Sequence, residues 1–422
     1  MTSDVVVRLR TDEGRDHWFY CHSEVLTKKS KYFADRLSDD WPTCQILDSR
    51  YCVEVFCQEV EFNFHVATLR LFYMPEPHTW HGVRNALGIL QATIHLGCPQ
   101  MARACMEYLE AVPWEEAEEE EILRTIPSLG PQYEQILARL QPVDQTAVVG
   151  IFVSAIRFAT SSTPTSMREL KSSAQEQIEY MLTEDDDAPL LTLDNEVIKS
   201  EVRKCVKDVL ERFNSLVETL LDTSQNSISE ESREEHLKPL LCDISWICQI
   251  LNKMEMMKDL VQYWVDASVK IVSAAEKLHS IGDVLETKLK VVEVASKVLE
   301  AIGFGNVILP TLRRLHVVRV WLPFVQKTRP LVDLGNSDDE EEVSSVRMDG
   351  DVWQGLESAF VSIIITLPSA NQADILAEWL RCEHVRYPDL TEAFEVWCYR
   401  SKVARRRITT VDEMSNVKNL QG

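Results

Sequence analysis

The chain has 422 residues, of which 45% are hydrophobic and 26% are charged, a usage typical of folded, water-soluble proteins that does not indicate wholesale disorder. Its formal net charge of −23 comes from 67 acidic and 44 basic residues. Nucleic acids and anionic membranes attract clustered Lys and Arg, so this balance argues against direct binding to either.

Cysteine usage and apolar patterning indicate an intracellular protein. The 11 cysteines are irregularly spaced and no apolar segment follows a basic start, so we expect reduced thiols. The longest apolar runs fall far short of the roughly 20 residues that cross a bilayer. We therefore expect a soluble protein of the cytoplasm, the nucleus or both, with no membrane segment.

The first part of the chain predicts a mixed α/β domain. Residues 4–9 ("DVVVRL") and 17–22 ("HWFYCH") predict two strands around a turn at Gly14. Two short helical segments follow, and 44–49 ("CQILDS") predicts a further strand. Residues 50–62 are ambiguous between an extension of the sheet and an insertion.

From residue 64 onward, apolar residues recur at the helical spacing of three and four. Three helices are predicted over 64–74, 83–97 and 99–112. Almost everything beyond an acidic run at 115–121 is helical as well. One apolar stripe there continues for about six turns; its members are Ile198, Val202, Cys205, Val209, Phe213, Leu216 and Leu220.

These patterns divide the chain into segments. Two of them are predicted to be flexible: a Ser/Thr/Pro linker at 160–166 and an acidic loop at 336–350, which holds too few apolar residues to offset the entropy cost of ordering. Stacked helical hairpins are the natural arrangement for the rest of the second half. The predicted boundaries are 1–112 for the α/β domain, 113–335 for the helical domain, 351–407 for the C-terminal helices and 408–422 for a tail.

With the elements in this order, the first domain resembles a BTB/POZ domain. Four blocks carry the resemblance: "DVVVRL", "FYCHSEVLTKKSKYF" at 19–33, "LRLFYM" at 69–74 and "ALGILQATIHLGCPQMARACMEYL" at 86–109. The second half resembles the helical region of a plant group of BTB/POZ-domain proteins. The resemblance implies an α+β N-terminal BTB/POZ domain followed by a mostly α-helical region, either BACK-like or built of stacked helices.

One position departs from the family. Many BTB domains pair an Asp of the first strand with a basic residue directly after the signature His, at the axis of a strand-exchanged dimer. Asp4 occupies the first of these positions, but Ser23 follows His22 where the basic residue would stand. A BTB homodimer is therefore an open question at this stage.

Cys21 and His22 invite a competing interpretation as a catalytic thiol and its base. Such a pair must meet in space with a third group orienting the base, whereas adjacent residues on a strand point to opposite faces. The fold explains His22 as the point where a strand passes into a helix. With no enzyme motif and only 13 glycines, we expect no catalytic residue and no cofactor.

A metal site is the next alternative. Cys44, Cys52 and Cys57 lie near Cys21 and His22 in the sequence. However, the chain lacks the C-x-x-C spacing that is commonest in structural zinc sites, so core thiols are favoured over zinc.

The main basic cluster is "RSKVARRR", with Arg405, Arg406 and Arg407 at its end. Two interpretations remain open, a nuclear-import signal and cations that complement the C-terminus of a helix.

The resemblance implies a non-catalytic function. BTB domains of this kind bind the N-terminal helices of a cullin of the cullin-3 class, and a second domain captures a protein substrate for ubiquitination by a RING partner. By analogy the cullin would contact the segment 44–48 and the helix 64–73. The candidate contacts on that helix are Phe64, His65, Thr68, Leu69 and Phe72. The alternative is a signalling scaffold or transcriptional co-regulator that acts through its BTB domain without a cullin.

Overall fold

The structure is a computed structural model, and it describes residues 3–39, 45–47, 50–74, 82–183, 191, 195–222, 230–278, 283–334, 348–381 and 387–419. The chain forms two compact units, Met1–Val143 and Asp144–Gly422. The first is mixed α/β and the second is helical, which confirms the predicted fold class.

The N-terminal unit begins with strands and ends with helices. Its described elements are β1 (Val5–Thr11), β2 (Asp16–Cys21), α1 (Ser23–Lys29), α2 (Lys31–Arg36), β3 (Gln45–Leu47), β4 (Arg50–Cys57), α3 (Phe62–Leu71), α4 (Val83–His95), α5 (Pro99–Ala111) and α6 (Glu116–Leu129), with 3₁₀ helices at Glu59–Glu61 and Pro131–Leu140.

The four described strands form one sheet in the order β2-β1-β4-β3. Strand β1 runs antiparallel to β2, with Val5 opposite Cys21, and parallel to β4, with Val7 opposite Val53. The sequence left residues 50–62 ambiguous; they form β4 and the 3₁₀ turn before α3. Side chains alternate along each strand, so one face of the sheet is apolar and covered by helices.

That covered inner face forms the core of the unit. Val5, Val7 and Val53 are buried there together with side chains of α3, α4 and α5. Helix α6 and the 3₁₀ helix after it also contribute, through the buried Ile122 and Ile136. Because these residues bury their apolar side chains in this core, the unit ends at Val143 and not at the predicted 112.

The second unit consists of helices. Its described elements are α7 (Gln145–Ala159), α8 (Arg168–Met181), α9 (Glu196–Leu221), α10 (Glu230–Lys253), α11 (Lys258–Glu276), α12 (Asp283–Gly303), α13 (Thr311–Leu334), α14 (Gly350–Ile364), α15 (Ser369–Arg381) and α16 (Thr391–Asn419), with a 3₁₀ turn at Thr165–Met167.

The central helices of this unit form two layers. Helices α9, α11 and α13 pack side by side in one layer, and α10, α12 and α14 pack in the other. Stacked hairpins of this kind bury a continuous core between the layers. In the first layer the Trp264 indole stacks between Phe213 and Trp321, at ring centroid distances of 5.7 and 5.9 Å.

The predicted apolar stripe of α9 faces this core. Five of its members are buried, and Leu216 and Leu220 are partly buried against the same cluster. A hydrophobic stripe at helical spacing therefore located this face correctly.

Of the two segments predicted to be flexible, the structure describes one fully and the other only in part. Residues 160–166 connect α7 to α8 and are held by contacts: the buried Thr160 hydroxyl donates to the Ile156 carbonyl, and Lys171 Nζ donates to the Ser161 carbonyl at 3.0 Å. Most of the acidic segment 336–350 lies outside the described residues. Helix α16 extends to Asn419, into the predicted tail.

One described stretch, Pro131–Ala159, is long and apolar enough for a membrane span by composition alone. It is interrupted, because a 3₁₀ helix ends at Leu140 and α7 begins at Gln145. Neither piece reaches the roughly 20 residues that a span requires. Phe152 and Ile156 of α7 are buried in the helical core.

Candidate protein-docking site

Helix α3 is the helix on which the sequence placed five candidate contacts. A 3₁₀ turn leads into it, with a capping box between Gln58 and Glu61 that satisfies backbone donors at the helix start. Phe62 and Leu69 are buried and belong to the core beneath the sheet. The side of α3 that carries them therefore faces inward.

The structure sorts the five candidates into four buried residues and one half-buried residue. His65, Thr68, Leu69 and Phe72 are all less than 5% exposed. The Thr68 hydroxyl donates to the Phe64 carbonyl at 2.8 Å, and the Phe72 ring meets Phe33 edge-on at 6.4 Å. In this conformation the four residues hold α3 in place and do not present their side chains to a partner.

Phe64 is the half-buried candidate. Its ring lies directly against Gly88 of α4, where a Cβ atom would come within 2.5 Å of three ring carbons. Only a residue without a side chain leaves room for this contact. The close approach of Phe64 to Gly88 fixes the position of α3 on α4.

A pair of histidines connects α3 to α4, because His65 lies on α3 and His95 on α4. His65 Nδ1 lies 3.0 Å from the Glu61 carbonyl oxygen, and His65 Nε2 lies 2.9 Å from His95 Nδ1. A carbonyl only accepts hydrogen bonds, so neutral His65 carries its proton on Nδ1 and accepts from His95 through Nε2. Burial lowers the pKa of His65, and the neighbouring His95 lowers it further, against an opposing hydrogen bond to Glu61.

The opposite side of α3 is open to solvent. Asn63 and Arg70 lie there two turns apart and are exposed, as are Val60 in the 3₁₀ turn before the helix and Met74 three residues after its end. We call these four residues the α3 strip. Sequence reasoning missed it, although the i, i+3, i+7 spacing of Phe62, His65 and Leu69 was the signal that could have found it. Of the predicted second contact segment, 44–48, residues Gln45–Leu47 form β3, and the side chains of the segment lie outside the described residues.

The Cys-His pair adjoins the end of α3 and is unsuited to nucleophilic catalysis. Cys21 is buried, and burial raises the pKa of its thiol, which suppresses the thiolate that a nucleophile needs. The Tyr73 hydroxyl accepts a hydrogen bond from the backbone N–H of His22 at 2.9 Å, and the two rings meet edge-on at 5.8 Å. These contacts join the start of α1 to the end of α3.

Of the cysteines considered for zinc, the described Cys21 and Cys52 do not lie together. In the register of the sheet Cys21 lies opposite Val5 and Cys52 lies opposite Val6, so their side chains point to opposite faces. Cys44 lies outside the described residues. Among the residues whose positions the structure gives, no group of three or more His, Cys, Asp or Glu side chains could hold a metal ion.

The basic cluster lies within a helix and not at its end. Arg405 and Arg406 are exposed on α16, which continues to Asn419; the side chain of Arg407 lies outside the described residues. The interpretation as cations that complement a helix C-terminus is therefore wrong, because the macrodipole acts within the last turn.

Comparisons with known proteins identify the family. A family model described as BTB/POZ Ankyrin-like repeat matches residues 158–404. The BTB/POZ domain-containing protein At3g05675 of Arabidopsis thaliana is 56% identical over an alignment of 419 positions that covers 97% of this chain and 94% of the relative. Another from the same plant, At3g50780, is 26% identical over 95% of this chain and 72% of its own length.

No solved structure matches the chain. The match to At3g05675 nevertheless covers both units, and the family model covers more than half of the chain. Together with the four N-terminal blocks, they show that the chain belongs to the BTB/POZ domain-containing proteins, as the sequence predicted.

Proposed function

We propose that this protein is a non-catalytic adapter of a cullin-3 RING ubiquitin ligase, which binds the cullin through its BTB domain and a protein substrate through its helical unit. BTB/POZ domains act in general as protein-interaction modules. In such a complex the RING partner, and not this chain, promotes the ubiquitination reaction. The buried Cys21 thiol, with its raised pKa, supports that assignment.

The observation that carries the proposal is the α3 strip. Val60 and Met74 are apolar side chains exposed to solvent at the two ends of a helix whose other side is packed. Exposed apolar side chains flanked by polar ones are typical of a surface that receives an amphipathic helix. The N-terminal helices of a cullin are such a partner.

The experiment measures binding of the full-length chain to the N-terminal domain of a cullin-3 by calorimetry. Because an introduced charge would lose its hydration without gaining a partner when an apolar helix docks there, we expect Met74→Arg and Val60→Asp each to weaken binding at least tenfold. Matched controls come from the helical unit. Met167 is 46% exposed against 47% for Met74, and Val197 is 63% exposed against 76% for Val60.

Met167→Arg and Val197→Asp should leave binding unchanged. If the wild-type chain shows no cullin binding at micromolar concentrations, the ligase assignment fails. The protein would then be assigned to the alternative class, scaffolds that act through the BTB domain alone.

Localisation forms a second part of the proposal. We place the protein in the cytoplasm, the nucleus or both, with Arg405, Arg406 and Arg407 as the import signal. The exposure of Arg405 and Arg406 on α16 makes them accessible to an import receptor. Cell fractionation before and after replacing the three arginines with Ala tests the signal, and an unchanged nuclear fraction removes it.

A further inference from the structure

The side of the sheet that faces away from the helices carries three exposed aromatic residues. Trp18 is 40% exposed, Tyr20 65% and Phe56 57%. The register places them in one layer of side chains, because Tyr20 lies opposite Val6, Trp18 opposite Arg8 and Phe56 opposite Arg10. We call this layer the outer sheet face; its members are Val6, Arg8 and Arg10 of β1, Asp16, Trp18 and Tyr20 of β2, and Arg50, Cys52, Glu54 and Phe56 of β4.

An arginine lies over each of the three aromatic rings. The distances from guanidinium carbon to ring centroid are 4.8 Å for Arg8 on Trp18, 5.5 Å for Arg10 on Phe56 and 5.4 Å for Arg50 on Tyr20. Stacking of this kind holds both side chains in place. Less conformational entropy is then lost when a partner binds them.

These residue types are those that concentrate binding energy. Trp, Tyr and Arg are over-represented among the side chains whose truncation costs most at protein interfaces. Beneath them, Val6 and Cys52 are less than 10% exposed although both belong to the outer sheet face. The aromatic layer therefore shields a small apolar floor and resembles the centre of an interface more than an ordinary polar surface.

The charges on this face determine which charges a complementary partner would carry. Arg8 is neutralised, since it donates to Asp16 at 3.0 Å and to Glu54 at 2.8 Å. Arg10 lies 4.0 Å from Glu54, beyond hydrogen-bond distance, and Arg50 donates to the Ser3 carbonyl. Among the described residues, neither Arg10 nor Arg50 has a carboxylate within hydrogen-bond distance.

The two arginines that donate to no described carboxylate, Arg10 and Arg50, lie at opposite ends of the face. Arg10 is level with Phe56, and Arg50 starts the same strand six positions earlier. At about 3.3 Å per residue the two positions are roughly 20 Å apart. A polypeptide that satisfied both would place carboxylates at its ends and apolar side chains over the aromatic rings between them.

We propose that the outer sheet face binds an extended segment of a partner protein that carries apolar residues flanked by Asp or Glu. Single-stranded nucleic acid, which also stacks on sheet aromatics, is disfavoured because Asp16 and Glu54 lie among the rings and repel phosphates. The binding is independent of the cullin proposal. Helix α3 packs on the inner face of the sheet, so both partners can bind at once.

The test selects 12-residue peptides from a random phage library on the full-length chain and measures the affinity of the enriched peptides by fluorescence polarisation. We expect apolar residues flanked by Asp or Glu. Tyr20→Ala and Phe56→Ala should each weaken binding at least tenfold, as for a central aromatic anchor. The double variant Arg10→Glu/Arg50→Glu should do the same.

The matched control is Tyr180→Ala, because Tyr180 of α8 is 69% exposed, close to Tyr20. It should bind the selected peptides with unchanged affinity. Three results would each overturn the proposal: no enrichment, enriched peptides that ignore the Tyr20 and Phe56 variants, or enrichment of basic peptides. A labelled 12-nucleotide poly-uridine is tested alongside, and its binding with loss on Tyr20→Ala would overturn the proposal and assign the face to nucleic acid.

Discussion

The carboxylate of Asp4, the residue before β1, accepts two hydrogen bonds from Ser23, one from the backbone N–H at 2.9 Å and one from the hydroxyl at 2.5 Å. Ser23 is the first residue of α1, and the preceding His22 makes no side-chain cap. Asp4 therefore caps α1 from the residue that precedes β1. Burial raises the pKa of Asp4, but the two hydrogen bonds from Ser23 outweigh burial and hold it below its ordinary value.

Removing either partner should destabilise the N-terminal unit to a similar extent. We expect Asp4→Ala and Ser23→Ala each to lower the free energy of unfolding by about 1 kcal/mol, the usual value of a helix cap. The double variant should cost little more than either single one. Urea unfolding measures the changes, with Glu24→Ala as a control in the same helical turn. If the losses in unfolding free energy of the two single variants added fully in the double variant, the contact between Asp4 and Ser23 would be contradicted.

The same contact bears on self-association. In the familiar dimers the Asp of the first strand pairs with a basic residue, whereas both oxygens of Asp4 are already hydrogen-bonded to Ser23. We therefore expect the full-length chain to sediment as a monomer at micromolar concentrations. Sedimentation velocity checks this expectation, and a concentration-independent dimer would contradict it.

Gly88 is constrained by the Phe64 ring. Gly to Ala in a helix ordinarily stabilises by about 1 kcal/mol, but here the new Cβ would lie 2.5 Å from ring carbons, and overpacking costs roughly 1–3 kcal/mol. We expect Gly88→Ala to lower the thermal midpoint. In a Phe64→Ala background the clash is absent, so the same change should raise it. Calorimetry measures the thermal midpoints of wild type, Gly88→Ala, Phe64→Ala and the double variant. If Gly88→Ala changed the midpoint in the same direction in both backgrounds, the steric constraint from Phe64 would be contradicted.

The sequence predicted elements more reliably than it predicted surfaces, and α3 and the sheet show why. The spacing of Ile198, Val202 and Cys205 depends on one helix alone, so periodicity sufficed to find the inward face of α9. The parallel pairing that puts Phe56 beside Arg10 joins residues far apart in the chain, and no local pattern specifies it. The contact of Phe64 with Gly88 is likewise decided only when two helices pack.

The family resemblance predicted the fold, whereas it could not distinguish buried from exposed residues on α3. Four of the five contacts proposed for α3 lie at buried positions, and buried residues of a packed helix belong more often to a core than to an interface. Whether an apolar side chain such as Phe64 or Leu69 is exposed depends on the helix phase relative to the sheet.

The histidine pair predicts a pH-dependent stability. The pKa of His65 is lowered in the folded state, so the unfolded chain binds the proton more readily and stability falls as pH drops below the unfolded value near 6.5. The slope from this group cannot exceed about 1.4 kcal/mol per pH unit. We expect His65→Gln to flatten the decline between pH 7 and pH 5, measured by urea unfolding. His316→Gln, at an exposed position of α13, is the control, and equal slopes for wild type and His65→Gln would contradict the prediction.

Lys171 of α8 and Asp243 of α10 form an ion pair inside the helical unit. Their charged groups lie 2.7 Å apart and both side chains are only 13% exposed. Burial raises the pKa of Asp243 in spite of the lysine, so Lys171→Met would leave a carboxylate without its main partner. We expect Lys171→Met to lower the free energy of unfolding by roughly 3 kcal/mol. The double variant Lys171→Met/Asp243→Leu should recover most of that loss because no buried charge remains.

The control is Lys270→Met, which breaks an ion pair with Glu218 in which both side chains are 54% exposed. It should lower the free energy of unfolding by less than about 1 kcal/mol. Chemical unfolding measures the free energy of unfolding of the three variants. Equal losses for Lys171→Met and Lys270→Met would contradict the prediction that the buried pair contributes more than the exposed one.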